Sequence, residues 1–471
     1  MPLVTKPQRV GKIRYFCRLM EAAAPIKNLK VAVTNRQVLS IALPISFAIL
    51  VPQLNMLTNS IFLGHLNAEA LGNAGITGVF YLIFAVAGHG LNSAVQSVLS
   101  RYAGAGSEGD FKTVLTQGIR ISMQFALAGI CITWLLAPYI LQQVADPHAY
   151  PQEMSFLKIR IMGLPFLFLF QMGNAFLVAS LNSRYLVIGF LAEACINILL
   201  DYLLIFGHWG FPALGFNGAA WASVIAEACG MLTVLFVLLR TGLRKQYHLL
   251  QNLHYQKNHS KEILNMAVPL VLQFVISVST WFAFFILIEA RHDQQAKAIS
   301  NTMRNIFGLA GVFVWAFSGT TNTMVSNLLG QGRHDKVIPA INKIMLWSMG
   351  MCISMCLLVN IFPQYFFGLF GQGSSFIAEG TAVLRMVSAG MLIMSIANIW
   401  LNGVTGTGKT TINLGIEIIA IIVYMLYTWY VMKLDYTSLQ RAWSNELVYW
   451  STIFLLAFTY IKSGRWKPGV K

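Results

Sequence analysis

Ala192-Glu193-Ala194-Cys195-Ile196-Asn197-Ile198-Leu199-Leu200-Asp201-Tyr202-Leu203-Leu204-Ile205-Phe206 is apolar enough to sit in lipid, yet it carries an acid near its centre. Asn197 and Asp201 are four residues apart, so a helix stacks them on one face, one turn apart. Glu193 lies two turns before Asp201 and shares that face roughly. A carboxylate at membrane depth is costly, and such residues mark ion or substrate pathways. The stretch therefore implies membrane helices, one of which carries an acid that needs a purpose.

The composition agrees. The chain has 471 residues, of which 56% are hydrophobic and 11% charged, against about 25% charged in a soluble domain. A net charge of +16 raises a nucleic-acid reading, but membrane loops are also basic on their cytoplasmic side. Six cysteines, Cys17, Cys131, Cys195, Cys229, Cys352 and Cys356, contain no C-x-x-C pair. They read as small hydrophobes rather than disulfides or metal ligands.

Twelve segments are long and apolar enough to span: 37–63, 70–100, 113–141, 156–181, 185–206, 213–239, 263–289, 298–328, 340–370, 382–402, 411–432 and 447–462. An even number puts both termini on one side. On that side the tails and loops hold 25 of the 33 Lys and Arg residues, which makes it the cytoplasm and explains most of the charge without nucleic acid. Residues 1–36 are basic with no long apolar core, so a cleaved signal peptide is not expected.

The basic connector 240–262 splits the chain. Sliding the second half over the first by about 225 residues superimposes Pro44 on Pro269, Gly104-Ala105-Gly106 on Gly330-Gln331-Gly332, Ser122-Met123 on Ser348-Met349, Arg160 on Arg385, Asn174 on Asn398 and Glu193 on Glu417. The steady offset signals an internal repeat. Six spans per half make the repeats parallel, related by an axis along the membrane normal, with the substrate path between them. The expected fold is all-α, with twelve transmembrane helices in two six-helix bundles related by a pseudo-twofold. The expected parts are a cytoplasmic tail 1–36, an N-lobe 37–239, a linker 240–262, a C-lobe 263–462 and a cytoplasmic tail 463–471.

Gly403-Val404-Thr405-Gly406-Thr407-Gly408-Lys409-Thr410 fits G-x-x-x-x-G-K-[ST]. A phosphate cradle needs that loop between a strand and a helix. Here it joins two apolar segments, so a Gly/Thr-rich turn is the stronger reading and a membrane ATPase the weaker one. His89, in Gly88-His89-Gly90, is open to a proton role but reads better as a structural histidine between close-packing glycines. Pro44 and Pro269 open their repeats at equivalent positions and suggest hinges.

Several ordered motifs resemble the multidrug and toxic compound extrusion (MATE) family across essentially the whole chain. They are Ala42-Leu43-Pro44 through Asn59 and Leu71, Leu99 to Gly106, Ala179 to Arg184, Asn197 to Asp201 with Gly207, and Gly218 to Ser223. The resemblance implies a secondary transporter that exports small cationic or amphipathic drug-like compounds in exchange for H+ or Na+, with no other cofactor. It places the coupling cluster on Asp201, Asn197, Asn59, Asn174 and Ser223, with Na+ as a candidate metal there. The family's first-helix aspartate is Asn59 in this chain, which leaves Asp201 as the lone carboxylate. Ser277 and Ser395 stand at or near the places of the acids found in the C-lobe of the sodium-coupled branch, so the chain resembles the DinF-like type more. Glu193, Asn55, Glu227 and Glu417 form a second tier of candidates. A multi-pass monomer in the cytoplasmic (inner) membrane is expected, in contact with lipids and not with nucleic acid, and acting as no enzyme. A flippase for lipid-linked saccharides is the alternative. Its cavity should be rich in Arg and Lys, and Arg304 is the clearest embedded basic residue here.

Overall fold

In lipid every backbone amide must be satisfied within its own segment or a closed barrel. A chain this apolar, without the alternating pattern of a barrel, has only helices open to it. The computed structural model describes residues 29–66, 68–144, 147–241, 243, 254–289, 294–368, 374–434 and 438–467. The basic tail through residue 28, with Cys17, the middle of the 240–262 connector and the last four residues lie outside these.

The helices are α1 (Asn35–Leu66), α2 (Ala68–Ala105), α3 (Glu108–Val144), α4 (Tyr150–Ile161), α5 (Leu164–Ala179), α6 (Leu186–Phe206), α7 (Phe216–Arg240), α8 (Lys257–Glu289), α9 (Gln294–Gly330), α10 (Val337–Ile361), α11 (Pro363–Gly368), α12 (Ser374–Gly406), α13 (Thr410–Leu434), α14 (Leu439–Ala442) and α15 (Asn445–Ser463). Among the described residues, nine helices pass a length-and-hydropathy test for crossing a membrane, and α4 with α5 adds a tenth as one bent span. The remaining two of the twelve expected spans are α9, which is long but carries Arg304 and many amides, and the 19-residue α15.

The expected continuous span 156–181 is instead two helices meeting at 40°. Pro165 lacks the N–H that would continue the ladder. The last turn of α4 tightens accordingly, with Met162 and Gly163 amides bonding back to Ile159 and Arg160. Pro44 and Pro269 lie well inside α1 and α8, not in their first turns, and Pro52 is a second proline within α1.

The first seven helices pack largely on one another, as do the last eight, and the two bundles meet through α2 against α8 and α9, and α1 against α9. This seam shows the pseudo-twofold in its bonds. Gln96 Nε2 donates to Gly319 O at 3.1 Å, and Asn322 Nδ2 donates to Ser93 O at 3.0 Å. The two bonds exchange under the repeat offset. The same holds for two close backbone approaches: Gly104 lies against Asn327 and Gly330 against Arg101, so a Cβ at either glycine would overlap the facing backbone. Small residues permit that approach, which is how membrane helices bind without a hydrophobic driving force. Gly90 lies against the Leu270–Val271 backbone of α8, and the His89 ring stacks edge-on with Phe274 at 5.0 Å. The flanking glycines thus pack closely, while the His89 side chain itself is exposed.

Each bundle also reaches across the seam with the segment that leads into it. Asn327 reads the backbone before α1 twice, accepting from Val31 N at 3.0 Å and donating to Leu29 O at 2.9 Å. Lys343 donates to Val33 O at 3.1 Å. On the other side Gln117 Nε2 donates to His254 O at 2.8 Å and accepts from Ser260 Oγ at 3.0 Å, while Tyr102 OH donates to Glu262 at 2.9 Å. These bonds tie the bundles together at the end that carries both leading segments.

Candidate ion-coupling site

The helix α6 positions the acid with which the sequence began. It is a 21-residue helix, apolar apart from Glu193, Asn197 and Asp201 and the Tyr202 hydroxyl, stopped by Gly207 in a left-handed turn (φ 75°) whose amide bonds back to Leu203. Only glycine adopts that conformation cheaply. Asp201 is completely buried, 0% exposed, and Asn197 is buried with it. Asn197 Nδ2 faces Asp201 Oδ2 at 3.3 Å, one turn away on the same face. That is the only side-chain hydrogen bond to Asp201 among the described residues. Its other oxygen, Oδ1, is buried with no partner.

Asn59 stands on α1 and Ser223 on α7, and both of these helices pack directly along α6. Asn174 stands on α5, which packs on α2, α3 and α7. None of the three hydrogen-bonds to Asp201. The carbonyl oxygens of Asn55, Asn59 and Asn174 are nonetheless buried and unpartnered. A carbonyl or ionised carboxylate oxygen can only accept, and buried polar atoms without partners are rare. With Asp201 Oδ1 they are four of the nine carbonyl or carboxylate oxygens of the first seven helices that are buried without a partner, and such an oxygen is completed by a proton on a carboxyl, by water, or by a hard cation that prefers oxygen ligands. Among the described residues no group of three or more His, Cys, Asp or Glu side chains could hold a metal. A cation here would therefore be held mainly by neutral oxygens.

The second-tier acids fall into two other places. Glu227 on α7 makes a two-point ion pair with Arg160 of α4, at 2.6 and 2.9 Å. Tyr81 OH donates to the same carboxylate at 2.9 Å, and the guanidinium lies 3.6 Å from the centre of the Tyr81 ring. The break at Gly163 makes room, since a Cβ there would overlap Glu227 Oε2. Glu193 packs on Gly230, one turn from Glu227, and its Oε2 has no partner. Glu417 on α13 accepts from Tyr449 OH and from Gln273 Nε2 at 3.3 Å, and Gln273 in turn accepts from Asn413 at 2.6 Å. Glu227 and Glu417 thus both have full sets of protein partners, unlike Asp201. Arg160, Tyr81, Gln273 and Tyr449 escape a reading from sequence. The one available signal was Arg160 itself, a cation inside a span that demands an acid from another helix.

The Gly403–Thr410 motif is the turn between α12 and α13. Gly403 to Gly406 form the last turn of a helix, so their amides are spent on its ladder. Gly408 takes the left-handed conformation (φ 84°) and Lys409 is exposed. A phosphate cradle needs those amides free. Lys409→Ala should leave transport within about twofold of wild type, because a solvated surface charge contributes little; a tenfold loss in a liposome export assay would contradict the turn reading.

The fold is that of a multi-pass membrane protein with twelve spans in two bundles. The MatE family model matches the chain twice, over residues 44–203 and 269–430. The two matches begin at Pro44 and Pro269, the pair superimposed by the repeat. The chain is 22% identical over 444 residues to the probable multidrug resistance protein NorM of Thermotoga maritima, across 92% of this chain and 93% of that protein. It is 25% identical over 377 residues to the protein of the same name from Synechocystis sp., across 76% and 79%. Its backbone superposes on the crystal structure of MATE in complex with MaL6 with a TM-score of 0.84 at 15% identity, covering 93% of this chain and 99% of that one. The chain belongs to the MatE family.

Proposed function

We propose that this protein is a secondary antiporter that exports small amphipathic compounds, cationic ones among them, in exchange for H+ or Na+. Residues 37–239 and 263–462 act as the two lobes of an alternating-access cycle, with both tails in the cytoplasm of a cell whose inner membrane the chain crosses. The observation that carries this reading is Asp201: fully buried, bonded through one oxygen to Asn197, and unpartnered at the other.

The physical logic is differential occupancy. Asp201 Oδ1 holds a proton, or serves as the charged ligand of Na+ beside the amide oxygens of Asn59, Asn174 and Asn197 and the Ser223 hydroxyl. Asn197 fixes the carboxyl through Oδ2 and leaves Oδ1 to the ion. Opening toward the cytoplasm must break the reciprocal bonds of Gln96 and Asn322 and the bonds of Asn327 to the segment before α1. An ion or substrate shifts that balance only by binding one state better than the other.

The test is export from proteoliposomes under a pH gradient alone or a Na+ gradient alone. One of the two is expected to drive export well above the ungraded control. Export under neither gradient would refute antiport.

A further inference from the structure

The repeat matches two arginines whose surroundings differ. Arg160 pairs with Glu227 where the chain bends at Gly163 and Pro165. The same offset carries Arg160 onto Arg385, Gly163 onto Ser388, Pro165 onto Gly390 and Glu227 onto Thr452. With glycine in place of proline, α12 runs unbroken from Ser374 to Gly406. With threonine in place of the acid, the ionic partner is gone, and Thr452 spends its hydroxyl on Val448 O at 2.8 Å. Arg385 is exposed, and no carboxylate pairs with it among the described residues. The described acids of its bundle within the spans are held elsewhere: Glu379 accepts from Gln295 at 2.8 Å, Glu446 from Trp450 at 3.0 Å, and Glu417 from Tyr449 and Gln273.

Arg385 lines a cleft of about 280 Å³ between α10 and α12. Asn360, Ser388, Cys356, Leu357 and Leu392 stand around it, and none of the lining residues is acidic. Asn360 Nδ2 donates to Cys356 O at 2.8 Å and to Ser388 Oγ at 2.7 Å, which leaves the Ser388 hydroxyl proton to a ligand. The cleft opens to lipid rather than to the path between the bundles. Helix α10 packs chiefly on α9 and α12 and reaches the first bundle's leading segment only near its start, through Lys343 and Trp347. Along its other half Leu357, Leu358 and Ile361 are 53%, 59% and 62% exposed. Asn360 is one residue from the end of α10, and the exposed Phe362 and Tyr365 follow it, as aromatic residues do at headgroup level. The guanidinium therefore stands at that level, with Leu357 and Leu392 deeper along their helices. A guanidinium pairs with phosphate through a planar fork, and basic pockets between membrane helices take phosphate headgroups. A pocket that encloses a drug-sized molecule has about 300–1,000 Å³, so this smaller, one-sided cleft fits a headgroup whose chains run outside it.

We infer that the cleft between α10 and α12 is a binding site for one anionic phospholipid, with its phosphate on Arg385 and the Ser388 hydroxyl and its acyl chains along Leu357 and Leu392. The site is separate from the Asp201 cluster, which lies in the other bundle.

The test titrates lipid onto the purified full chain in non-ionic detergent and counts bound molecules by native mass spectrometry, with phosphatidylglycerol as the probe and phosphatidylcholine as the control. Wild type is expected to bind its first phosphatidylglycerol at least fivefold more tightly than phosphatidylcholine. Arg385→Gln is expected to weaken that binding at least fivefold while phosphatidylcholine stays within twofold, and Arg385→Lys to keep part of it. A smaller loss in Arg385→Gln, or an equal loss for both lipids, overturns the site. Leu357→Trp narrows the cleft and leaves the charge in place. It should also weaken phosphatidylglycerol binding; unchanged binding would make Arg385 a bare surface charge and overturn the cleft. Glycerol phosphate offers the same phosphate without chains. Its displacement of the lipid at millimolar concentration would assign the cleft to a soluble anion and overturn the lipid, and no displacement supports it.

Discussion

Asp201→Asn is expected to reduce gradient-driven export at least a hundredfold while leaving the amount of folded protein unchanged. The substitution keeps the side chain's size and shape, so α6 packs as before. Asn197 retains an oxygen to donate to. What disappears is the one group of the cluster that carries a charge or exchanges a proton. An amide does neither at physiological pH, and the neutral oxygens of Asn55, Asn59 and Asn174 supply no charge to replace it. The measurement is ion-driven export in proteoliposomes, with thermal stability in detergent as the control for folding. Export at more than a third of the wild-type rate from well-folded Asp201→Asn protein would remove Asp201 from the coupling step.

The second large effect concerns stability. Arg160→Ala leaves Glu227 as an uncompensated buried carboxylate, and breaking a buried pair from one side costs about 3–5 kcal/mol. The loss extends beyond the Coulomb attraction, because the guanidinium also covers the Tyr81 ring and makes two of the hydrogen bonds at Glu227. The expected result is a markedly lower melting temperature in detergent and less protein in the membrane. Replacing both partners with methionine should recover most of the loss, since no buried charge is then stranded. A single Arg160→Ala variant that melts with the wild type would show that the pair contributes nothing to the fold.

The two predictions differ in how far the sequence alone reaches. Asp201 and Asn197 are legible because their relation is local. A spacing of four on an apolar helix fixes their neighbourhood before any packing is known, and the structure joins them by a hydrogen bond. Arg160 and Glu227 are 67 residues apart, on helices whose crossing no periodicity encodes. The bend that brings them together depends on Pro165, a residue that reads from sequence as an ordinary member of a continuous span. The same holds for Glu417 with Tyr449, and for Asn327 with the backbone at Leu29 and Val31. Prolines 44 and 269 lie in between. Their equivalence is written in the repeat and their place inside a helix is seen in the structure, while their action as hinges is a matter for the transport cycle.

By itself the sequence determined the class of protein, the number of its spans, the repeat that relates its halves and the acid at its centre. Those features depend on composition, hydrophobic run length and spacing along one helix, all of which act locally in lipid as they do on paper. The tertiary structure alone decided which charged groups are spent on holding the fold and which are left unpartnered. It pairs Arg160 with Glu227, encloses Glu417 in hydroxyl and amide donors, and leaves Asp201 Oδ1 without a partner among the described residues. The physical reason is that satisfying a buried charge requires partners from other helices. Their approach is set by how glycines, prolines and side-chain volumes let the helices cross, which no single segment specifies.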